Sequence, residues 1–229
     1  MRLTKATEKA VKYACMNFHY AKCVPVCTLA YNIYNQADEW CGCVVFGRGA
    51  NKAIGIDYQT VMGGALELVR VALNGKQECT SQAVAMSLKQ LKKDCPYCRL
   101  VVSYADIDQK HLGTIYQATN WVYIGETAVG ESHAYIIDGV KHHEKTIREN
   151  VIRKGLPASL ENVRKVYGQD TQLFFSDGKR KYLFPLDKAM KKQIEPLRKP
   201  YPKTDENWHK IDRSQFKQEK NKTFDNLTL

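Results

Sequence analysis

Between residues 4 and 17 apolar side chains recur every three to four positions, with Ala6, Ala10, Val11, Ala14 and Cys15 on one side and lysines between them. That spacing predicts an amphipathic helix ending near Asn17. The period then shortens. Leu29 to Tyr34 alternates with the two-residue repeat of a strand, and Trp40 to Phe46 supplies a second, closed by Gly47-Arg48-Gly49; together they predict an antiparallel hairpin. After an irregular stretch, Gly63-Gly64 opens onto a long strand over residues 65–73. A helix follows over residues 81–93 and stops at Asp94-Cys95-Pro96, because proline disfavours helical geometry in the residue before it. Residues 99–104 are nearly all apolar and predict a strand buried on both faces. A short helix over 111–118 and a strand over 121–125 complete the series. This order predicts an α/β (α+β) fold, one mixed sheet with helices on both faces.

Beyond Gly139 the pattern predicts helices near 142–154 and 160–167. A hairpin of 173–175 against 181–184, turning at Ser176-Asp177-Gly178-Lys179, follows, and then a helix near 187–197. Residues from 199 onward hold few large apolar side chains and several prolines and charges, which predicts a flexible tail. Residues 1–140 are thus expected to form the main domain and 141–198 a small appendage.

Charge sharpens that division. Of 229 residues, 44% are hydrophobic, the value for a globular chain with one good-sized core. The net charge of +11 is uneven: residues 1–140 carry 14 Lys+Arg against 12 Asp+Glu, 141–198 carry 14 against 7, and 199–229 carry 7 against 5. A segment that faces phosphates needs such an excess; a solvated basic surface is the other reading. No apolar run reaches the roughly 18 residues that span a bilayer, and Met1-Arg2-Leu3-Thr4-Lys5 leads into a charged segment unlike a secretory signal. The cytoplasm is the expected compartment, and no membrane partner is expected.

Eight cysteines are then expected to be reduced, several as small core side chains. Cys95-Pro96-Tyr97-Cys98 follows a helix and precedes a strand, the reverse of the context that activates a redox pair. A zinc site from Cys23, Cys27, Cys95 and Cys98 is the competing reading.

Ser103-Tyr104-Ala105-Asp106 ends the central strand on the side where open α/β sheets bind ligands, and offers a hydroxyl, a phenol and a carboxylate. The structural alternative has Asp106 capping a turn and Ser103 bonded to backbone. From His111 to Thr127 the chain is dense in residues with a flat face and a polar edge. Tyr116, Gln117 and Asn120 suit stacking on a base and bonding its edge, whereas Trp121 and Tyr123 suit a core.

In Phe18-His19-Tyr20, Val45-Phe46-Gly47-Arg48, Leu66-Glu67-Leu68-Val69-Arg70-Val71, and Leu100 to Asp106 running on through Ile115 to Trp121, the chain resembles the phage Mom-type adenine modification proteins. The resemblance covers roughly the first 130 residues. It implies a GNAT-like, largely antiparallel sheet and a transferase that converts adenine in DNA to its carbamoylmethyl derivative, shielding phage DNA from restriction. It implies His19, Tyr20, Glu67, Arg70, Ser103, Asp106 and Tyr116 as site residues; read with the local chemistry above, His19, Ser103, Asp106 and Tyr116 are the expected catalytic residues, with Tyr20, Glu67, Arg70, Tyr104, Gln117 and Asn120 expected around the substrate. Iron, associated with this family, would draw on His19, Tyr20, Asp106 and Tyr116. The expected partner is double-stranded DNA, gripped by Arg48, Lys141, Arg148, Arg153, Lys154, Lys179, Arg180 and Lys181, and a homodimer is compatible with this reading. The donor is not identified. Acetyl coenzyme A is not expected, because the turn Asn74-Gly75-Lys76-Gln77-Glu78-Cys79-Thr80-Ser81 lacks the glycine-rich loop that holds its pyrophosphate. A GNAT-like transferase for a small molecule, peptide or aminoacyl-tRNA, and a non-catalytic DNA-binding protein, are the competing classes.

Overall fold

A computed structural model describes residues 1–49, 54–127, 133–175 and 178–203. Residues 2–5, part of which the helical spacing assigned to the first helix, are instead a strand, β1 (Arg2–Lys5). Thr7 explains the difference: its side chain accepts a hydrogen bond from the Ala10 amide, so α1 (Glu8–Phe18) starts after it. Upstream, β1 pairs antiparallel with β2 (Leu29–Tyr34), which pairs with β3 (Trp40–Gly47) as the hairpin pattern predicted. β4 (Ala65–Leu73), α2 (Thr80–Asp94), β5 (Leu100–Asp106) and β6 (Val122–Glu126) follow close to their expected bounds, whereas α3 (Thr114–Gln117) is shorter than the helix expected over 111–118 because the chain turns at Gly113, in the left-handed region.

The chain then departs from expectation. β7 (His133–Ile137) and β8 (Val140–His143) form a hairpin, and α4 (Glu144–Arg153) begins only after it, where His143 Nδ1 accepts from the Lys145 amide. α5 (Leu160–Tyr167) and β9 (Gln172–Phe175) complete a three-stranded sheet of order β8-β7-β9. Tyr135, Ile137, Ile147, Val151 and Val163 form its own small core.

β9 and β10 (Lys179–Pro185) are therefore not a hairpin: β9 pairs with β7, and β10 enters the main sheet between β5 and β6. The physical reason is in the side chains. Tyr182 and Leu183 point to opposite faces and both are fully buried, which a central strand allows and a solvent-facing hairpin does not. The boundary expected near residue 140 accordingly moves. Residues 133–175 are an insertion at the tip of the β6/β10 pair, whose ends are tied by the Thr127 amide to the Lys179 carbonyl and the Lys179 amide to Thr127 Oγ1, each 2.9 Å. The turn residues Ser176 and Asp177 lie outside the described residues.

The main sheet has the order β1-β2-β3-β4-β5-β10-β6. Every pairing among the described strands is antiparallel except β4 with β5. It is thus the mixed, largely antiparallel sheet expected. α2 and α3 cover one face over Tyr31, Phe46, Leu68, Val101, Trp121 and Tyr182. On the other face α1 covers Cys43, Val45 and Ala72, and α6 (Lys188–Ile194) covers Leu100, Val102 and Leu183. Each large side chain fully buried this way contributes about 1.5–3 kcal/mol. The body continues past the expected start of the tail, since the Lys199 amide donates to the Tyr123 carbonyl (2.8 Å) and the Tyr201 hydroxyl to the Trp121 carbonyl (2.6 Å). Residues 204–229, the rest of that tail, lie outside the described residues. No helix among the described residues is long and apolar enough to cross a membrane.

Candidate active site

The parallel ladder between β4 and β5 places Ala65, Leu66 and Glu67 opposite Leu100, Val101 and Val102, and goes no further. Beyond it the strands part. β4 carries a bulge there, because Arg70 faces Val45 and Leu68 faces Phe46, leaving Val69 as the extra residue. Two β4 carbonyls near the parting are met by side chains instead of a neighbouring strand. Ser103, fully buried, donates to the Leu68 carbonyl at 2.9 Å, and Arg70 Nη1 donates to the Val69 carbonyl at 2.7 Å. Ser103 also shares a 2.8 Å hydrogen bond with the Tyr116 hydroxyl.

The parted strands open a cleft of about 410 Å³, lined by residues 18–20 at the end of α1, 67–71 of β4, 104–106 of β5, 110–116 of the following turn and α3, and Lys179 of β10. Gly113 lets that turn lie close. Its φ is +73°, and a Cβ there would meet the Tyr182 ring at 2.5 Å.

Seven of the ten residues expected at the catalytic and substrate site line this cleft: His19, Tyr20, Glu67, Arg70, Tyr104, Asp106 and Tyr116. Burial, reinforced by Arg70, His111 and Lys22, lowers His19 to about 4, so its imidazole is neutral at pH 7. His19 Nδ1 accepts from the Ala21 amide, which places the remaining ring proton on Nε2. The Tyr20 ring stacks on His19 at 4.4 Å and meets His111 edge-on. Partial burial and the hydrogen-bonded Asp106 carboxylate raise the Tyr20 phenol. Burial also raises Glu67, against the opposing pull of Lys179 and Arg70. Its carboxylate rests on Gly49, where φ is +68° and a Cβ would stand 2.1 Å from Glu67 Oε2. Burial raises Tyr104 and pushes Tyr116 up to about 12. Asp106 holds the turn as its structural alternative had it, Oδ1 accepting from the Asp108 amide, and it also lines the cleft beside Lys179, its partner in the strand register.

The other three residues stand apart. Ser103 lies behind the cleft wall and holds Tyr116. Gln117 Nε2 donates to the Leu112 carbonyl at 2.9 Å and lies 3.3 Å from the Tyr182 hydroxyl, so its amide braces the turn. Asn120 is exposed, with φ at +60°, beside α2. Lys110 and His111 line the cleft but were not singled out from the sequence; the expected short helix took in His111, whereas α3 starts only at Thr114. The available signal was a histidine and a lysine in the loop directly after Asp106.

The cations expected on DNA are scattered. Lys179 lines the cleft and Lys181 stands 5.2 Å from the centre of the Tyr58 ring. Arg180 pairs with Glu126 and donates to the His111 carbonyl. Lys141 pairs with Asp108 at 2.8 Å and Arg148 with Glu144 at 2.7 Å. Arg153 ends α4, Lys154 caps it, and Arg48 is exposed after β3.

All eight cysteines are free. Cys15, Cys41, Cys43, Cys95 and Cys98 are buried, as expected of core thiols, whereas Cys23, Cys27 and Cys79 are exposed. Among the described residues no three His, Cys, Asp or Glu side chains converge to hold a metal. Of the phenols expected to join such a site, Tyr116 bonds Ser103, and Tyr20 lies beside Asp106, itself one of the expected ligands.

A family model described as the Mom protein family matches residues 1–203. The methylcarbamoylase Mom of Escherichia phage Mu is 29% identical over 148 residues, a stretch covering 61% of this chain and 57% of that protein. The match thus spans little more than half of that relative's length. A solved spermidine N-acetyltransferase variant from Vibrio cholerae overlays 86% of this chain and 99% of its own, at a TM-score of 0.43 and 8% identity. With a family match that takes in every residue of the cleft, the chain belongs to the Mom protein family.

Proposed function

We propose that the chain is a transferase that modifies adenine in DNA, placing a carbamoylmethyl group on the exocyclic amine and so shielding phage DNA from restriction. The observation that carries this reading is the parting of β4 and β5 into a cleft holding two carboxylates, a neutral imidazole, phenols and Arg70. The phage Mu relative's name supplies the reaction class.

Adenine's exocyclic nitrogen is a weak nucleophile because its lone pair is delocalised into the ring. Asp106 takes a proton from that nitrogen as the new N–C bond forms, with Glu67 as the second carboxylate of the cleft. Arg70, whose Nε is buried without a hydrogen-bond partner among the described residues, offers a positive charge for the group that leaves the donor. Tyr20, stacked on His19 and edge-on to His111, gives the base a flat wall. Of the four residues expected around iron, Tyr116 does not fit that role as it stands, because its hydroxyl is tied to the buried Ser103, and no step is assigned to a metal.

Acetyl coenzyme A also fits poorly. In the turn before α2 the Gly75 amide donates to Gln77 Oε1 and the Lys76 amide to Asn74 Oδ1. These amides are turned onto their own side chains rather than toward a pyrophosphate. The test is mass spectrometry of nucleosides from the DNA of cells expressing the chain. An adenosine derivative carrying a carbamoylmethyl group is expected, and unmodified adenosine from cells holding soluble protein would refute the proposal.

A further inference from the structure

The insertion changes where DNA is to be sought. Once β10 is seen to belong to the main sheet, the basic segment splits in two. Residues 133–175 carry seven Lys+Arg against five Asp+Glu, and residues 178–203 carry nine against two. The excess therefore lies on the body.

Partners deepen the contrast. In the insertion Lys145, Arg148 and Lys165 pair with carboxylates one helical turn away, Lys141 pairs with Asp108, and Arg164 donates to the Thr171 carbonyl. Most of its positive charge is already answered. On α6, Lys188, Lys191 and Lys192 are exposed and enter no ion pair among the described residues.

α6 also lies on the face that carries the cleft. Val102, Tyr104 and Asp106 alternate onto one side of β5, and their register partners Leu183, Lys181 and Lys179 share that side. α6 packs on the Val102 and Leu183 end of this row, and Lys179 lines the cleft at the other. Between them Gln193 of α6 donates to the Tyr58 carbonyl at 2.7 Å, and Lys181 stands over the Tyr58 ring.

We infer that the phosphate backbone of duplex DNA runs along α6 and the exposed end of β10 toward the cleft, held by Lys188, Lys191 and Lys192, and that the insertion is not the main grip. The inference rests on the proposed action on DNA. Each phosphate neutralised adds about 0.9 to the slope of log affinity against log salt. Three lysines then account for a slope of roughly 2 to 3, or about a 40-fold difference in salt sensitivity between roughly 50 and 200 mM.

The test is fluorescence anisotropy of the full chain on a random-sequence duplex across that salt range. Lys188→Gln/Lys191→Gln/Lys192→Gln is expected to lower the slope by about 2 to 3, and Lys145→Gln/Arg153→Gln/Lys154→Gln by less than about 1. Arginine at the three α6 positions is expected to retain the wild-type slope, which separates lost charge from lost fold. Equal losses in the two triple variants, a larger loss from the insertion, or a wild-type chain without salt-sensitive binding overturns the inference. Failure of the proposed function shows separately, as absence of the adenine derivative in host DNA with the wild-type chain.

Discussion

Replacing Ser103 with alanine removes one oxygen atom from the point where β4 and β5 part. That oxygen bonds the Leu68 carbonyl and the Tyr116 hydroxyl, and both it and Tyr116 are shut away from solvent. Each group left buried without a partner costs about 1–3 kcal/mol. Allowing for some relaxation, Ser103→Ala is expected to destabilise the chain by about 2–4 kcal/mol. In a domain of this size that lowers Tm by roughly 5–12 °C. Tyr116→Phe leaves Ser103 still donating to Leu68 and is expected to cost about 1 kcal/mol. The double variant should then be less damaging than the two single losses added together, by about 1 kcal/mol. Thermal and urea denaturation of the four proteins measures all three quantities. A Ser103→Ala loss within about 0.5 kcal/mol, or strict additivity, would refute the view that this hydroxyl ties the parted strands and the Tyr116 phenol together.

Three further outcomes are expected. Gly49→Ala adds a methyl group against the Glu67 carboxylate at a left-handed backbone position; it should cost about 1–3 kcal/mol and displace Glu67, lowering adenine modification in expressing cells well below wild type. His19, lowered to about 4 in the fold, favours folding in its neutral form. Its contribution is complete above pH 6.5 and is lost as pH falls toward 4, because the unfolded chain binds the proton first; an imidazole NMR titration midpoint near 6.5 would contradict this. Asp187 accepts from the Met190 amide at the start of α6 and from Arg99, through Nε and Nη2. The ion pair is about one-third exposed and adds little, so Asp187→Ala should cost about 1–2 kcal/mol, mostly the helix cap, read by urea denaturation.

Strands were legible in the sequence where alternation or a wholly apolar run set them apart, but their partners were not. Residues 181–184 read correctly as a strand, yet a two-residue period says nothing about which neighbour pairs with it. The Asp177-Gly178 pair made a hairpin the economical choice, whereas β10 pairs with β5 and β6 and is covered on both faces, Tyr182 in one core cluster and Leu183 in the other. The same limit blurred the basic segment, because charge counted along the chain joined residues that the fold divides between an insertion and the body. At the site, the family-like runs located His19, Tyr20, Glu67, Arg70 and Asp106, which converge from α1, β4 and β5. Gln117 looked like a base-reading amide but was needed locally to hold Leu112. His111 was missed because the pattern placed it in a helix over 111–118, whereas it lies in the turn before α3 and enters the cleft by the path of the backbone.

The central claim is that adenine is modified in the cleft between β4 and β5. Its most direct test is quantitative mass spectrometry of adenosine derivatives in host DNA from cells expressing, at matched soluble levels, the wild-type chain, Asp106→Asn, or Lys165→Gln as a distant surface control. The carbamoylmethyl derivative should be abundant with the wild type and with Lys165→Gln, and should fall by at least about 100-fold with Asp106→Asn, the scale of a lost general base. Equal modification by Asp106→Asn and the wild type would contradict the placement of the chemistry in this cleft.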